Sequence, residues 1–531
     1  MKKIYLPSII AVALATGILS GIFFAKLTNK NSASQPVILG NGDKISDVLN
    51  IIDNKYVDII SSDSLTESVI PEIIAQLDPH SSYIPARDLQ MVNEELSGSF
   101  YGIGVQFNLQ NDTIYVVNVV SGGPSEKVGI LAGDKIIFVN DSLLIGKKIT
   151  NEKVLTTLRG DKNTKVKLGI IRKENLTPLS FTVTRGEVSV KSVDVAYMIA
   201  NKVGYISINK FGETTYKEFL AGMAKLRHQG ANSLIIDLRG NAGGYLVAAT
   251  NMLNEFLKQG DMIVYMEGAH QKRVDSFANG IGSFKDMKLA VLIDEFSGSA
   301  SEIFAGAIQD NDRGTIIGRR SFGKGLVQQQ IELGDGSALR ITIARYYTPS
   351  GRSIQKPYSR GDSQNYDMDI LNRYRHGEFY SEDSIHQNEK MEFKTKSGRK
   401  VYGGGGIMPD IFIANDTTEL SKYYSDLVNK GLIYKFALNY TENHRNELNK
   451  IKDWQKMQTF LEEKNFFTAI ENYGERHSVF GKATEKLKSK KLIEKQTIAY
   501  IIRNVLDENG FFPYYNQTDK CVQKAVAELR K

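Results

Sequence analysis

The chain has 531 residues, 41% hydrophobic and 24% charged, with a formal net charge of +7. That length is too great for one core, so several domains are expected, and the composition excludes a disordered chain or a multi-span membrane protein. The 67 basic residues are offset by 60 acidic ones with no block of like charge, which excludes a nucleic-acid binder, and the single cysteine, Cys521, excludes internal disulfides and cysteine-based metal centres.

Lys2 and Lys3 precede an uncharged apolar run from Ile4 to Ala25, long enough as a helix to cross a hydrocarbon core of about 30 Å. Positive residues before the run hold that end in the cytoplasm and place the rest of the chain outside. A cleaved signal peptide would use Ala13-Leu14-Ala15 and leave half of the run on the product, so residues 1–26 read as an uncleaved signal anchor. This places the protein in the cell envelope, anchored in the inner membrane and facing the periplasmic side. Residues 27–40 are polar and read as a linker.

From 41 to 97 the apolar spacing is helical, as in Val48, Ile51, Ile52 and Tyr56, with a turn-like stretch Leu77-Asp78-Pro79-His80-Ser81-Ser82-Tyr83 inside it. Residues 98–185 change to short alternating strands with Gly-rich turns. Gly102-Ile103-Gly104-Val105 opens this stretch. Such a loop before a strand edge can receive a peptide carboxylate on its N–H groups, and it would serve equally in a structural β-domain.

From 186 to 415 strands alternate with amphipathic helices, the pattern of an α/β domain, with a polar, Tyr-rich, aperiodic insertion at 357–400. The stretch 416–531 is helical in pattern, Lys/Glu-rich and without a site-like cluster. Within the α/β domain, the buried strand ending at Leu238 runs into Arg239-Gly240-Asn241-Ala242-Gly243-Gly244. Those glycines can present N–H groups to an anion, or form a plain turn; neither a dinucleotide nor a phosphate-loop fingerprint is present.

A second buried strand, Leu289 to Ile293, is followed by Ser297-Gly298-Ser299-Ala300-Ser301-Glu302, and then Ala300, Ile303, Phe304, Ala307 and Ile308 recur on one helical face. A serine where a strand turns into a helix sits beside unpaired N–H groups that can stabilise an oxyanion. Helix capping accounts for such serines as well. Downstream, Ser321-Phe322-Gly323-Lys324-Gly325 leads into a predicted hairpin, in which Lys324 and Gln328 share a face. Glycines on both sides let backbone pack against the lysine, and burial lowers a lysine pKa from its reference of about 10.4 toward the neutral amine that a general base needs. The seven histidines show no HExxH spacing and no G-x-S-x-G elbow is present, so neither a metal site nor a cofactor is expected.

Together these segments resemble the C-terminal processing peptidases, or tail-specific proteases, over roughly residues 45–415. The resemblance rests on five motifs in one order: Leu77-Asp78-Pro79-His80-Ser81; the PDZ-like run from Gly102-Ile103-Gly104-Val105 to Gly133-Asp134-Lys135-Ile136; Asp237-Leu238-Arg239 with Gly243-Gly244; Ser299-Ala300-Ser301-Glu302; and Gly323-Lys324-Gly325. Gly406-Ile407-Met408-Pro409-Asp410 is similar to the family's closing segment.

The resemblance implies a multidomain α/β protein with a crotonase/ClpP-like core, an inserted-type PDZ domain, a helical N-terminal region and a helical C-terminal extension. It also implies a Ser–Lys dyad: Ser299 as nucleophile, Lys324 lying 25 residues on as general base, and Gln328 four further as the assisting residue. The oxyanion hole would come from backbone N–H groups of Ala300 and of Gly243 or Gly244, and the PDZ loop Gly102, Ile103, Gly104 and Val105 would bind the free C-termini of protein substrates. Gly298 stands where many members carry alanine. The main rival reading is a PDZ scaffold with a silent peptidase fold; a second is a crotonase-like acyl-CoA enzyme, against which the export segment and the PDZ-like domain count. No adaptor or oligomeric partner has a signature in the sequence.

Overall fold

The computed structural model describes residues 44–110, 112–120, 122–146, 149–172 and 177–531. The proposed anchor at 1–26 and the linker at 27–40 lie outside the described residues. Among those that are described, no helix is long and apolar enough to cross a membrane. The chain forms two units, the first ending at Ile70 and the second running from Pro71 to Lys531. In the first unit the helix Lys44–Lys55 has an acidic first turn and a basic last turn, matched to its dipole, and buries no residue.

The centre of the second unit is a six-stranded mixed sheet. Its order is Val193–Ala200, Val203–Ile208, Ser233–Asp237, Lys288–Ile293, Thr315–Gly318 and Ile411–Phe412; the first pair is antiparallel and the rest are parallel. Parallel strands must be covered on both faces, so their apolar runs are nearly continuous. Alternate residues divide accordingly. Leu234, Ile236, Leu289, Val291 and Ile293 join the core built by the helices Thr215–His228, Leu246–Asn254 and Ala300–Asp310. Ile235, Ala290, Leu292 and Ile317 meet Cys521, Val522, Ala525 and Leu529 of the last helix, Lys520–Leu529.

That last helix makes the C-terminal extension part of the catalytic domain's packing. Each fully buried aliphatic side chain there contributes about 1.5–3 kcal/mol. Asp519, at the N-cap of this helix, accepts from Val522 N and pairs with Arg239 at 2.9 Å, so the helix is tied to the loop that follows the Ser233–Asp237 strand. The extension's other helices, including Leu432–Asn443 and Ala483–Tyr515, close their own core around Leu461, Ile470 and Ile493.

A second sheet flanks the first. Ala338–Tyr347 pairs with Leu326–Glu332 as the expected hairpin, with Met262–Glu267, and with the short strand Ser82–Ile84. The region 41–97 is therefore not purely helical: Ser82 lies opposite Arg340, which delivers the Leu77–Ser81 turn to the hairpin. The 357–400 insertion is more regular than its sequence suggests, with a helix Ser363–Arg375 and a small hairpin, Glu392–Lys394 with Lys400–Tyr402. Its helix buries only Tyr366 and Arg373, too few positions to leave an apolar period in the sequence.

The β-domain at 98–185 is a five-strand antiparallel path, Val105–Gln110, Thr113–Val119, Lys135–Val139, Lys165–Ile171 and Leu179–Thr184, closed over Ile114, Ile136, Val154 and Leu168. The chain enters it along Ser99–Gly102 and leaves along Gly186–Ser189, and those two segments pair antiparallel. This is the geometry of an inserted domain on a two-stranded neck. Val105–Gln110 is an edge strand.

Candidate active site

The strand Lys288–Ile293 ends at the sheet's carboxyl edge, and the chain turns through Asp294–Gly298 into the helix Ala300–Asp310, every residue of which is buried. Ser299 is the residue at the elbow, with φ 54° and ψ −114°. A non-glycine residue held there costs of the order of 1–3 kcal/mol, and such strain persists only where its surroundings over-determine it. Here the restraints are visible. Ser299 N donates to Glu302 Oε2 at 2.8 Å, and the Tyr346 hydroxyl reaches the Ser299 carbonyl at 3.1 Å.

The three serines of the motif have different employments. Ser297 Oγ donates to the Leu238 carbonyl at 2.8 Å, and Ser301 Oγ to the Asn241 carbonyl at 2.8 Å. Both are fully buried and bind the serine loop to the glycine loop. Ser299 is the one at the elbow and partly exposed.

Lys324 arrives on the stretch between the Thr315–Gly318 strand and the hairpin. Its backbone N–H donates to Glu302 Oε2 at 2.8 Å, the atom that also holds Ser299 N. Glu302 Oε1 accepts from Gly323 N at 2.7 Å and Ser321 Oγ at 2.5 Å. Tyr346 repeats the bridge from the other side, its hydroxyl reaching the carbonyls of both Ser299 and Lys324. Two buried side chains thus join the backbones of residues 299 and 324. Among the described residues no hydrogen bond joins the Ser299 hydroxyl to the Lys324 amine or the Gln328 amide.

Burial holds the Lys324 amine below the ordinary lysine value, helped by Arg340 and opposed by Glu302 and Asp78. Burial pushes the Glu302 carboxyl up to about 7, against the pull of its donors. A carboxylate accepting from four donors cannot be imitated by an amide, which turns an NH₂ toward N–H groups that need an acceptor. Glu302→Gln is therefore expected to destabilise the fold by about 2–4 kcal/mol and to lower kcat roughly 100-fold. Thermal melting and steady-state kinetics on one sample check both; an unchanged kcat in a folded variant contradicts the clamp.

The glycine loop lies against the elbow. A Cβ on Gly243 would fall 2.7 Å from Ser299 Cβ and 3.0 Å from Ala300 N, and φ is +108°, so only glycine fits. The Gly243 N–H donates to Asn241 Oδ1 at 2.9 Å. The Gly244 and Ala300 N–H groups have no partner among the described residues. A Cβ on Gly298 would lie 3.3 Å from the Ala242 carbonyl oxygen and 3.6 Å from Phe322 Cβ, so the family's alanine fits with a small adjustment.

Several residues of this region carry no signal in the local sequence around the serine and lysine. Glu302 was visible only as the end of a motif, and Tyr346 and Thr342 not at all. His80 from the Leu77–Ser81 turn bonds Tyr366 Oη through Nε2 at 2.9 Å. Burial, and then the neighbouring Lys324 charge, lower its pKa to about 4, so it is a neutral imidazole at pH 7. The insertion helix braces the lysine segment: Arg373 donates to the carbonyls of Arg320 and Ser321, and the Lys356 amine sits 4.2 Å over the Phe322 ring and 3.9 Å over the Tyr366 ring.

The PDZ-like loop is a separate feature. Ile103 is buried and Gly104 takes φ +76°; their carbonyls accept from Ser125 N and Val120 N. The N–H groups of Ile103 and Gly104 have no partner among the described residues, and Val105 begins the edge strand. Among the described residues no cluster of three or more His, Cys, Asp or Glu could hold a metal ion.

Comparison with known proteins agrees with this layout. The profile of peptidase family S41 matches residues 202–363, that of a PDZ domain residues 102–184, and that of a family of unknown function residues 423–507. A "Probable CtpA-like serine protease" of Staphylococcus aureus is 33% identical over 352 residues, 66% of this chain and 70% of the relative. Its counterpart in Staphylococcus epidermidis is 33% identical over 356 residues, 67% and 71% of the two chains. Among solved structures, the photosystem II D1 C-terminal processing protease is 23% identical, with a TM-score of 0.36, covering 70% of this chain and 93% of its own.

Proposed function

Because the chain belongs to peptidase family S41, as a PDZ-bearing serine peptidase of the C-terminal processing kind, we propose that it cuts exported proteins near their C-termini from the outer side of the cytoplasmic membrane, with the apolar sequence run within 1–26 as its anchor. Ser299 attacks the peptide carbonyl, and the neutral Lys324 amine takes its proton and delivers it to the leaving amine. Water then resolves the acyl-enzyme by the same route in reverse. The Gln328 amide oxygen orients the lysine. The Ala300 and Gly244 N–H groups receive the oxyanion; Gly244 is preferred over Gly243 because the latter's N–H is already donated to Asn241.

The observation that carries the reading is the shared clamp, in which one Glu302 oxygen holds the backbone N–H of both the strained serine and the lysine. It ties together the two backbone segments that carry the proposed nucleophile and base, which supports an acyl-transfer site. Substrate selection is assigned to the β-domain. The free N–H groups at Ile103 and Gly104 suit a terminal carboxylate, and the edge strand Val105–Gln110 can pair with the main chain preceding it.

The test compares one unstructured peptide with a free and with an amidated C-terminus. Losing a charge-assisted contact of about 1.5–3 kcal/mol lowers kcat/KM for the amide roughly 10–100-fold. Equal rates, or cuts far from the C-terminus in both, remove the C-terminal reading while leaving the peptidase intact.

A further inference from the structure

We infer that Asp78 and Thr342 decide which end of the Gln328 amide faces Lys324, and so act as positioning residues for the general base. The inference rests on the role given to Gln328 above. The Leu77–Ser81 turn reaches the hairpin from a distant part of the chain, and it is fastened to Thr342 twice. Thr342 N donates to Ser81 Oγ at 3.0 Å, and Thr342 Oγ1 donates to Asp78 Oδ1 at 3.1 Å.

The direction of that second bond is fixed by what Asp78 can do. Its carboxylate is buried and also accepts from His80 N and Ser81 N at 2.9 Å each and from Ser81 Oγ at 2.6 Å. Burial opposes ionisation, but these donors outweigh it and hold the carboxyl below its ordinary range. An ionised carboxylate has nothing to donate. The single proton of the Thr342 hydroxyl must therefore point at Asp78, which leaves only lone pairs on Thr342 Oγ1 for its other neighbour.

That neighbour is Gln328, whose Nε2 lies 3.2 Å from Thr342 Oγ1. The two ends of an amide have nearly the same shape, and only their hydrogen-bond partners distinguish them. A threonine that can only accept selects the NH₂ end and turns the carbonyl oxygen away from itself. An amide in the opposite sense would present NH₂ to an amine that needs an acceptor. The hairpin register contributes as well: a shift between Val327 and Gln328 sets Gln328 opposite Thr342. Irregularities of this kind re-aim side chains beside active sites. A charge on one segment thus fixes the orientation of a dipole on another, through one hydroxyl.

Steady-state kinetics on an unstructured peptide with Thr342→Val, Thr342→Ser, Gln328→Ala and the Gln328→Ala/Thr342→Val double variant test this. Thr342→Val is expected to lower kcat roughly tenfold at unchanged KM, and Thr342→Ser to recover most of the loss. Once Gln328 is alanine, Thr342→Val is expected to cost nothing further, because a residue acting only through another is silent in its absence. An equal loss in both backgrounds, or a serine variant as poor as the valine one, overturns the inference and leaves Gln328 standing. Wild-type kcat in Gln328→Ala alone removes the role of Gln328 and the inference with it. Should Thr342→Val melt below the assay temperature, Thr342→Ala carries the same cycle: it likewise lacks the hydroxyl that joins Asp78 to Gln328, and its loss is expected only in the background that retains Gln328.

Discussion

Ser299→Ala is expected to lower peptide hydrolysis by at least about 10⁴-fold, with an unchanged melting temperature. In the proposed mechanism the hydroxyl is the group that becomes acylated, so its loss would leave only the oxyanion hole and substrate binding to act on a water attack. Neither neighbouring serine can take over. The Ser297 and Ser301 hydroxyls are buried and donated to the Leu238 and Asn241 carbonyls, and moving either would open the joint between the serine and glycine loops. Stability is expected to hold because the backbone at 299 is fixed by contacts to its N–H and carbonyl, from Glu302 and Tyr346, which alanine retains. A fluorogenic peptide gives the rate, and a serine-directed covalent label should mark the wild type and not the variant. Hydrolysis by a folded variant at more than a few per cent of the wild-type rate would sink the nucleophile assignment.

The elements that the sequence made legible are those whose residues are dictated by local geometry. Continuous apolar strands, the glycine loop and the helical face from Ala300 to Ile308 each follow from one short segment, and the structure has them at those positions. What the sequence hid is long-range. Glu302 gives no hint in its own surroundings that it collects N–H groups 21 and 22 residues away. Thr342 and Asp78 meet across 264 residues, and Asp519 meets Arg239 across 280. An amphipathic helix such as Lys520–Leu529 displays an apolar face without naming what covers it; that the face closes the second side of the central sheet is a fact of tertiary packing alone. The insertion helix Ser363–Arg375 hid for the opposite reason. It docks through a tyrosine and an arginine, Tyr366 and Arg373, residues that a hydrophobic pattern does not register.

Lys324→Arg is expected to be as damaging as loss of the nucleophile, at least about 10⁴-fold in kcat, although it keeps the charge and most of the length. A guanidinium does not give up its proton in the working range, so it cannot act as a base, and its planar fork does not match the space of a single amine. The pH profile carries the same statement with a sign. The active form needs a neutral lysine, so the rate rises with pH, and because burial lowers the Lys324 pKa the rise is centred below the ordinary lysine value. Glu302 adds a second proton. Below about 7 its carboxyl becomes protonated, and an O–H then faces a cluster of donors where an acceptor stood. The logarithm of kcat/KM against pH should therefore rise with pH on the acid side, with protonation of Glu302 deepening the fall below about 7, before levelling. Measured on a peptide without ionisable side chains, a rate that does not fall as the pH is lowered would contradict a titrating lysine base. Residual activity in Lys324→Arg that keeps the wild-type pH limb would show that another group takes the serine's proton.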